Sequence, residues 1–283
     1  MRRTTRIAPA AVPPPPVETS ARDLVERLQR QQQTIQTLTA TAELEPTAGS
    51  VYSGVIKQYH DVRAFILLRS PDHLRMEGQA PVVRTTIFDM ASDGKEFRVS
   101  IPPKGKFIVG SVKVTQPAKN SLENLRPQHI LDALLMPTVN SEAEQYFLSQ
   151  EREQARFYDV LNLVVSAASE KGSSEGHGQL ALSRRIWFDA STLEVSRVEF
   201  YDGKGALTED VHYADYRDYE GVRYPSHIEL DRPAEDYSLG IMIEKATFNQ
   251  PIPADKFVLE KPANAEEIRL DSASSRGEGS GGQ

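Results

Sequence analysis

The sequence predicts a mainly β (α+β) fold of about ten or eleven antiparallel strands, with an N-terminal helix and one further short helix. Segments such as RRIWFDASTLEVSRVEFYDGKG, residues 184–205, alternate apolar and charged side chains, which is typical of strands with one buried face. Turn residues interrupt these segments at the spacing of an antiparallel meander. This number of strands is too large for a flat, uncovered sheet. The sheet must curl into a barrel, split into a sandwich or wrap around something, and the helices would be its filling or lid.

Composition excludes several classes of protein. The chain has 283 residues, of which 39% are hydrophobic and 26% charged, as in a globular protein of one large or two small domains. A net charge of −7 argues against a general nucleic-acid binder, which needs a basic surface. The absence of cysteine excludes thiol catalysis, disulfides and cysteine-based metal sites. No apolar run reaches the roughly 18 residues of a membrane-spanning helix, and no apolar signal-peptide core stands at the start.

The two ends of the chain differ in composition from its centre, and we expect one folded domain between them, at residues 19–262. Residues 1–18 hold a basic stretch and then four consecutive prolines, which favour an extended polyproline II spacer. This segment resembles the tether of a mature bacterial lipoprotein, with Met1 at or near the position of the lipid-bearing cysteine. The alternative is an ordinary disordered N-terminus. Residues 263–283 are predicted to be a disordered polar tail.

The first half of the domain is predicted to contain a helix and then strands. Apolar residues of the segment 20–38, among them Leu24 and Leu38, lie near one face of a helix, with Ser20 as N-cap and Asp23 in a capping-box-like position. Alternation predicts strands at 52–60, 62–70 and 72–79, and three short strands within 85–111 that are divided by turns at Asp93-Gly94 and at Pro102 to Gly105.

The second half is predicted to contain a short helix and a meander. Residues 121–136 carry a helical apolar stripe that Pro137 ends. Strands follow at 144–153 and 155–167, a loop at 169–178, and then a series with turns at Asp189–Thr192, Asp202–Gly205 and Glu220-Gly221. Within this series, residues 209–221 are rich in charged side chains and are interpreted as a solvated strand edge.

The sequence offers little for catalysis. The six histidines show neither HExxH nor another short metal-ligand spacing, and no GxSxG, P-loop or GxGxxG motif occurs. Loop 169–178 brings serines and His177 together, but its composition is typical of a flexible linker rather than of a nucleophile and its base. We therefore expect a protein that is not an enzyme, with no metal site and no cofactor.

Five pieces of the chain occur in an order that resembles a known family. After the N-terminal helix come SPDHLRMEGQAP, SDGKEFRVSIPPKGKFIVG, a short helix, RRIWFDASTLEVSRVEFYDGKG and NQPIPADKFVLEKP. This order resembles the superfamily of the lipoprotein localisation carriers LolA and LolB, which also includes the periplasmic regulator RseB, and it covers most of residues 20–262. The pieces are structural; IPADKFVLEKP is interpreted as an edge strand that closes the sheet. The resemblance implies an unclosed antiparallel β-barrel whose helices partly cover an apolar concave face that holds acyl chains.

The resemblance also implies a lipid-binding groove and a lid. The predicted groove residues are the inward-facing apolar residues of the strands: Ile66, Leu68, Leu74, Met76, Phe97, Val99, Phe107, Ile186, Phe188, Val198, Phe200, Leu239, Ile241 and Ile243. The predicted lid is a helix at 126–136 that carries Ile130, Leu131, Leu134 and Leu135, with Arg75 aligned with an arginine that helps hold the lid in the carriers. The alternative is that these side chains pack in a closed core and Arg75 is an ordinary solvated arginine.

The function implied is that of a non-enzymatic bacterial envelope protein that binds acyl chains of lipids or lipoproteins, for outer-membrane lipoprotein or lipid trafficking. One alternative is an envelope sensor or regulatory domain that binds a protein partner through the same groove; a remote one is an envelope hydrolase. The expected location is the periplasmic side of the envelope, on the outer membrane, through an N-terminal lipid anchor missing from this chain. No nucleic-acid partner is expected.

Overall fold

The structure is a computed structural model and describes residues 14–49, 57–58, 61–112, 126–140, 142–166 and 180–270. Several predictions concern residues outside these ranges: most of the tether at 1–18, most of the strand at 52–60, residues 121–125 of the second helical segment, the loop at 169–178 with His177, and residues 271–283.

The described residues form two helices, α1 (Ala21–Thr34) and α2 (Pro127–Leu134), and fifteen strands. The strands are β1 (Thr37–Ala48), β2 (Lys57–Gln58), β3 (Val62–Arg69), β4 (His73–Gln79), β5 (Thr86–Asp93), β6 (Glu96–Ile101), β7 (Lys106–Ser111), β8 (Gln145–Glu153), β9 (Arg156–Ser166), β10 (Leu180–Asp189), β11 (Val195–Tyr201), β12 (Leu207–Tyr219), β13 (Val222–Arg232), β14 (Tyr237–Phe248) and β15 (Glu266–Arg269).

One unclosed sheet contains all these strands, in the order β15-β7-β6-β5-β4-β3-β1-β14-β13-β12-β11-β10-β9-β8, with the two-residue β2 paired to β1. Every pair is antiparallel except β15 with β7. Strands β1 and β14 join two meanders, and β8 and β15 form the free edges. The predicted class, an unclosed antiparallel barrel with an N-terminal helix, is confirmed. The strand number is higher than the predicted ten or eleven, in part because β1 and β15 were not anticipated.

The start of α1 follows the sequence prediction, but its end does not. Ser20 and Asp23 form a reciprocal capping box, in which each side chain accepts a hydrogen bond from the other residue's backbone N–H. The helix ends at Thr34, and the prediction that it reaches residue 38 is wrong. Residues from Thr37 onwards form β1, whose Leu38 is completely buried. The β-branched residues of this segment favour a strand over a continued helix.

The predicted turns are confirmed. Gly94 between β5 and β6, and Gly105 between β6 and β7, both have positive φ, and Asp189 accepts the backbone hydrogen bonds of a turn between β10 and β11. Glu220 and Gly221 connect β12 and β13 as a two-residue hairpin in which both residues have positive φ. These turns depend only on local residues, and for that reason the sequence identifies them.

The main core lies between the concave face of the sheet and the two helices. Helix α1 buries Leu24, Val25 and Leu28 against it, and α2 buries Ile130 and Leu131. The inward residues of neighbouring strands are paired in register, so they pack as continuous rows across the sheet. An acyl chain could therefore reach this face only beside the helices or in their place.

The outer face of β4–β7 is covered by the chain that follows β14. Residues Ala254–Phe257 form a 3₁₀ turn, and Leu259 joins Phe107 and Val109 in a small second apolar cluster. The interpretation of IPADKFVLEKP as an edge strand is wrong, because this segment crosses the outside of the sheet instead of pairing with its edge. Strand β15 pairs with β7 beyond residue 262, so ordered structure extends into the range predicted to be a polar tail.

Strand β12 lies in the interior of the sheet, between β11 and β13. The interpretation of residues 209–221 as a solvated edge is therefore wrong for the first half of this segment. Glu209 and Asp210 are both buried. Glu209 pairs with Arg232 on β13, and Asp210 pairs with Arg197 on β11. A buried carboxylate is tolerated where such a partner is present.

Candidate functional site

Helix α2 is the element that occupies the concave face. It has eight residues and begins at Pro127, which costs nothing in a first helical turn because its missing N–H has no partner there. A helix this short is marginal in water on its own. Its buried side chains Ile130, Leu131 and Leu134 are less than 2% exposed, so packing against the sheet stabilises it.

Two tyrosines of the sheet hold the C-terminal end of α2. The Tyr213 hydroxyl donates to the Ala133 carbonyl at 3.1 Å, and the Tyr224 hydroxyl donates to the Leu134 carbonyl at 2.5 Å. Burial raises the pKa of both tyrosines above its ordinary value, so both remain neutral donors. Carbonyls of a last helical turn lack partners within the helix, and these hydroxyls satisfy two of them.

A charged cluster lies against the N-terminal half of α2. Arg232 donates to Glu209 and forms a second ion pair with Glu235 at 2.7 Å. The Nδ1 atom of His129, on α2, lies 3.1 Å from a Glu209 oxygen. Polar contacts thus hold both ends of the helix, in addition to the apolar side chains that the sequence indicated.

An apolar cavity of about 260 Å³ lies beside Ile130, where α2 leaves the concave face uncovered. It is enclosed by residues of β1, β3, β4, β5, β6, β14 and the turn after β6. Its lining residues are Leu44, Pro46, Thr47, Ala48, Val62, Met76, Ile87, Phe88, Met90, Val99, Ile101, Pro103, Lys104, Ile130, Tyr237 and Leu239.

A β-bulge in β5 turns two neighbouring side chains toward this cavity. Gly78 on β4 is opposite Phe88, but Gln79 is opposite Thr86, so Ile87 is an extra residue. Such a bulge re-aims side chains, and both Ile87 and Phe88 line the cavity and are half-buried. Glycine is required at position 78, because a Cβ there would lie 2.2 Å from the Phe88 ring.

Tyr237 supplies a polar group at the wall of the cavity. The residue is 8% exposed, and within the described ranges its hydroxyl has no hydrogen-bond partner. Burial raises the pKa of Tyr237 above its ordinary value, so the hydroxyl is a neutral donor. A buried hydroxyl without a partner is costly, and a ligand oxygen that reached it would remove that cost.

The predicted groove residues occupy four different environments. Met76, Val99 and Leu239 line the cavity, as does the predicted lid residue Ile130. Most of the others are in the closed part of the main core, where they pack against the helices and neighbouring strands without lining this cavity: Ile66, Leu68, Leu74, Phe97, Ile186, Phe188, Val198, Ile241 and Ile243.

Phe107 does not lie with the other predicted groove residues. Its neighbour Ile108 is the residue of β7 that pairs with Val99 on the concave side. Phe107 therefore faces outward and packs against Leu259 in the second cluster. The prediction that it lines the groove is corrected by this register, in which Ile108 takes the inward position.

Phe200 and Leu135 are half-buried and line a separate, more polar pocket of about 400 Å³ between the C-terminal ends of the two helices. On its wall the Arg184 guanidinium donates to Glu144 and to the Thr138 carbonyl, each at 2.7 Å. These contacts position the chain after α2. Phe200 is therefore the predicted groove residue that is most exposed to solvent.

Arg75 is on the outer face of the sheet and does not contact α2. Its guanidinium forms a two-pronged ion pair with Asp89 on β5 at 2.5 Å and donates to the Val258 carbonyl at 2.6 Å. Arg75 thus fixes the covering C-terminal segment against the sheet. The prediction that it holds the lid is wrong in this structure, because alternation along β4 places Met76 inside and Arg75 outside.

Sequence reasoning missed the polar residues around α2, namely Tyr213, Tyr224 and the Glu209–Arg232 pair. Inward alternation with Val211 could have identified Tyr213 and Glu209. Among the described residues no group of three histidine, aspartate or glutamate side chains is arranged to hold a metal ion. In the same part of the chain neither helix has the length and apolar character to cross a membrane.

Neither a protein-family model nor a curated protein sequence matches the chain. Three crystal structures share its fold, each at 15% sequence identity. A LolA superfamily protein from Nitrosomonas europaea has a TM-score of 0.51, with 86% of this chain and 99% of that chain covered. A DUF1329 family protein from Desulfovibrio piger has a TM-score of 0.53. A domain from Vibrio parahaemolyticus that is named for outer membrane lipoprotein sorting has a TM-score of 0.52. In both comparisons 84% of this chain and 95% of that chain are covered. The predicted resemblance to the lipoprotein-carrier superfamily is confirmed at the level of the fold.

Proposed function

We propose that this protein binds acyl chains of lipids or lipoproteins in the cavity beside α2, as a non-enzymatic protein of the bacterial envelope. The observation that carries the proposal is the lining of that cavity, which is almost entirely apolar although it is connected to the surface at Pro103 and Lys104. Apolar surface left in contact with water is unfavourable, and such pockets commonly mark ligand sites. The shared fold of a LolA superfamily protein supports the same assignment.

The size of the cavity indicates how much of a chain it holds. At about 260 Å³ it is slightly smaller than the roughly 300–1,000 Å³ typical of small-molecule sites. It therefore accepts part of one acyl chain while α2 remains in place. Each buried methylene contributes about 0.8 kcal/mol, so the few methylenes that the cavity holds favour binding without displacement of the helix. A longer chain would extend into the space that Ile130 and Leu131 occupy.

Two polar groups define how a chain would be oriented. Tyr237 offers an unpaired hydroxyl at the wall, and Lys104 places an exposed ammonium group at the mouth. A carboxyl or ester group can accept a hydrogen bond from the first and interact electrostatically with the second. The ligand class proposed is therefore an acyl chain with its carbonyl end near Tyr237 and its methyl end toward α2.

Replacement of Ile87 with tryptophan should abolish most binding of a fluorescent fatty acid such as cis-parinaric acid. The larger side chain would fill the cavity that Ile87 lines, and this half-buried position tolerates it. We expect at least a tenfold loss of affinity in a fluorescence titration, with thermal unfolding nearly unchanged. The control is Phe65→Trp on the outer face, where the side chain is 39% exposed. Equal affinity of the two variants would contradict the cavity assignment.

Replacement of Tyr237 with phenylalanine should weaken the binding of a fatty acid but not the binding of an alkane of the same length. The change removes one hydrogen bond to the ligand, worth about 0.5–1.5 kcal/mol, and so lowers affinity roughly two- to tenfold. The matched control is Tyr219→Phe, which removes a second buried hydroxyl without a partner in the described residues, away from the cavity. Competition titrations against cis-parinaric acid measure both ligands. A similar loss for acid and alkane would exclude Tyr237 as the donor.

Native mass spectrometry of the purified full chain separates this proposal from a regulatory domain that binds only proteins. An acyl-chain carrier should retain lipid through gentle desolvation, whereas a domain that only docks a protein should appear as the bare chain.

The periplasmic location and the N-terminal lipid anchor belong to the same proposal. Membrane fractionation of the bacterium that makes the protein would test them.

A further inference from the structure

A third pocket, of about 370 Å³, lies between α1 and the β12–β13 hairpin and shares no residue with the acyl-chain cavity. Helix α1 contributes Arg27, Arg30, Gln31 and Thr34. The spacing of these residues places them in one stripe along the helix. The stripe faces the hairpin, so its polar side chains converge on one concave surface instead of pointing separately into solvent.

The hairpin side of this pocket adds a third arginine and a tyrosine. Arg223 donates to Glu194 at 2.7 Å and stacks over the Tyr216 ring at 5.8 Å. The Tyr216 hydroxyl is already used, because it donates to the Val195 carbonyl at 2.8 Å. The carboxylate of Glu194 therefore balances Arg223, and no carboxylate that lines the pocket pairs with Arg27 or Arg30.

The guanidinium groups of Arg27 and Arg30 have no hydrogen bond or ion pair within the part of the chain that the structure describes. Three guanidinium groups and one carboxylate give the pocket a net charge of +2, in a chain whose net charge is −7. The C-terminal end of α1 contributes only about half a negative charge in opposition. Unpaired guanidinium groups in a concave site bind phosphate well, because their planar fork matches two phosphate oxygens.

We propose that this pocket binds a phosphate group, with Arg27 and Arg30 as its principal donors. The group is either a free phosphate or the phosphate of a lipid headgroup. Both present negatively charged phosphate oxygens, so the pocket recognises the chemistry that they share. The site is independent of the acyl-chain cavity and stands even if that cavity proves empty.

The test compares two variants of the full chain that have equal net charge. Arg27→Gln/Arg30→Gln removes the two donors. Arg22→Gln/Arg63→Gln removes two other arginines, one paired with Glu26 on the same helix and one exposed over Phe65 on β3. Inorganic phosphate is titrated by calorimetry, and phosphatidylcholine vesicles with and without phosphatidic acid are tested by co-sedimentation. Thermal unfolding shows that both variants are folded.

We expect the first variant to lose at least tenfold in affinity and the second to change less than twofold. A loss with inorganic phosphate indicates a free phosphate ligand, and a loss only with phosphatidic acid vesicles indicates a lipid headgroup. Either result supports the site. Absence of binding by the unmodified protein in both arms would overturn it, and so would equal behaviour of the two variants.

Discussion

Replacement of Ile241 with aspartate should unfold the protein. Ile241 is completely buried in β14, between Leu44 of β1 and Ile228 of β13, each at most 1% exposed. A carboxylate at this position has no partner and no access to water, which costs several kcal/mol. Total stabilities of domains are about 5–15 kcal/mol, so this single change removes most of it. Circular dichroism should show loss of the sheet signal at room temperature.

The same substitution at Phe200 is the matched comparison. Phe200 was predicted to line the same groove but is half-buried at the solvent-accessible pocket near the ends of the helices. Water can reach a carboxylate there, so Phe200→Asp should remain folded, with a loss of about 1–3 kcal/mol in urea unfolding. If Ile241→Asp folded as well as Phe200→Asp, the core around β14 would have to be open.

Replacement of Leu131 and Leu134 with serine should increase the affinity for a fatty acid while it lowers stability. These side chains are 0% and 1% exposed and hold α2 on the concave face. Loss of a buried leucine costs about 2–5 kcal/mol, so the double variant is strongly destabilised. A loosened α2 competes less with an acyl chain for the same surface. The fluorescence titration with cis-parinaric acid should then show a severalfold lower Kd, measured at low temperature where the variant is folded.

A milder pair of substitutions tests the same competition by α2 in a protein that remains folded. Tyr213→Phe/Tyr224→Phe keeps the apolar packing and removes the two hydrogen bonds to α2 carbonyls. Each buried carbonyl left unsatisfied costs about 1–3 kcal/mol, enough to loosen the helix without a cavity in the core. Tyr219→Phe, which removes a buried hydroxyl with no partner in the described residues and no hydrogen bond to α2, serves as the control. Unchanged or weaker binding in the folded double tyrosine variant would mean that α2 is a fixed core helix and not a competitor.

Local chemistry decided which elements the sequence could predict. The capping box of Ser20 and Asp23 and the hairpin at Glu220-Gly221 depend on neighbouring residues alone, and both are confirmed. The boundary after α1 was missed because Leu38 fits two periodicities. It continues the helical spacing of Ile35, and it also begins the alternation of β1.

Features that depend on partners in other strands could not be predicted. In β7 three consecutive apolar residues, Phe107 to Val109, leave the inward position undetermined, and only the pairing with β6 assigns it to Ile108. Likewise Glu209 looks like a solvated residue until its partner Arg232, on the next strand, is known. The cavity itself results from a bulge at Ile87 and from the short length of α2, neither of which leaves a periodic pattern.

The pairing of β1 with β14 has a consequence for the order in which the chain folds. This pairing places Leu38 opposite Phe248, so the middle of the sheet cannot form until almost the whole chain is available. The meanders on either side, β1–β7 and β8–β14, have mostly local pairings, and local contacts form faster than distant ones. We expect each meander to collapse first and the central seam to close last. Until then β1 and β14 each expose an unpaired edge, so chaperone protection matters most in that interval.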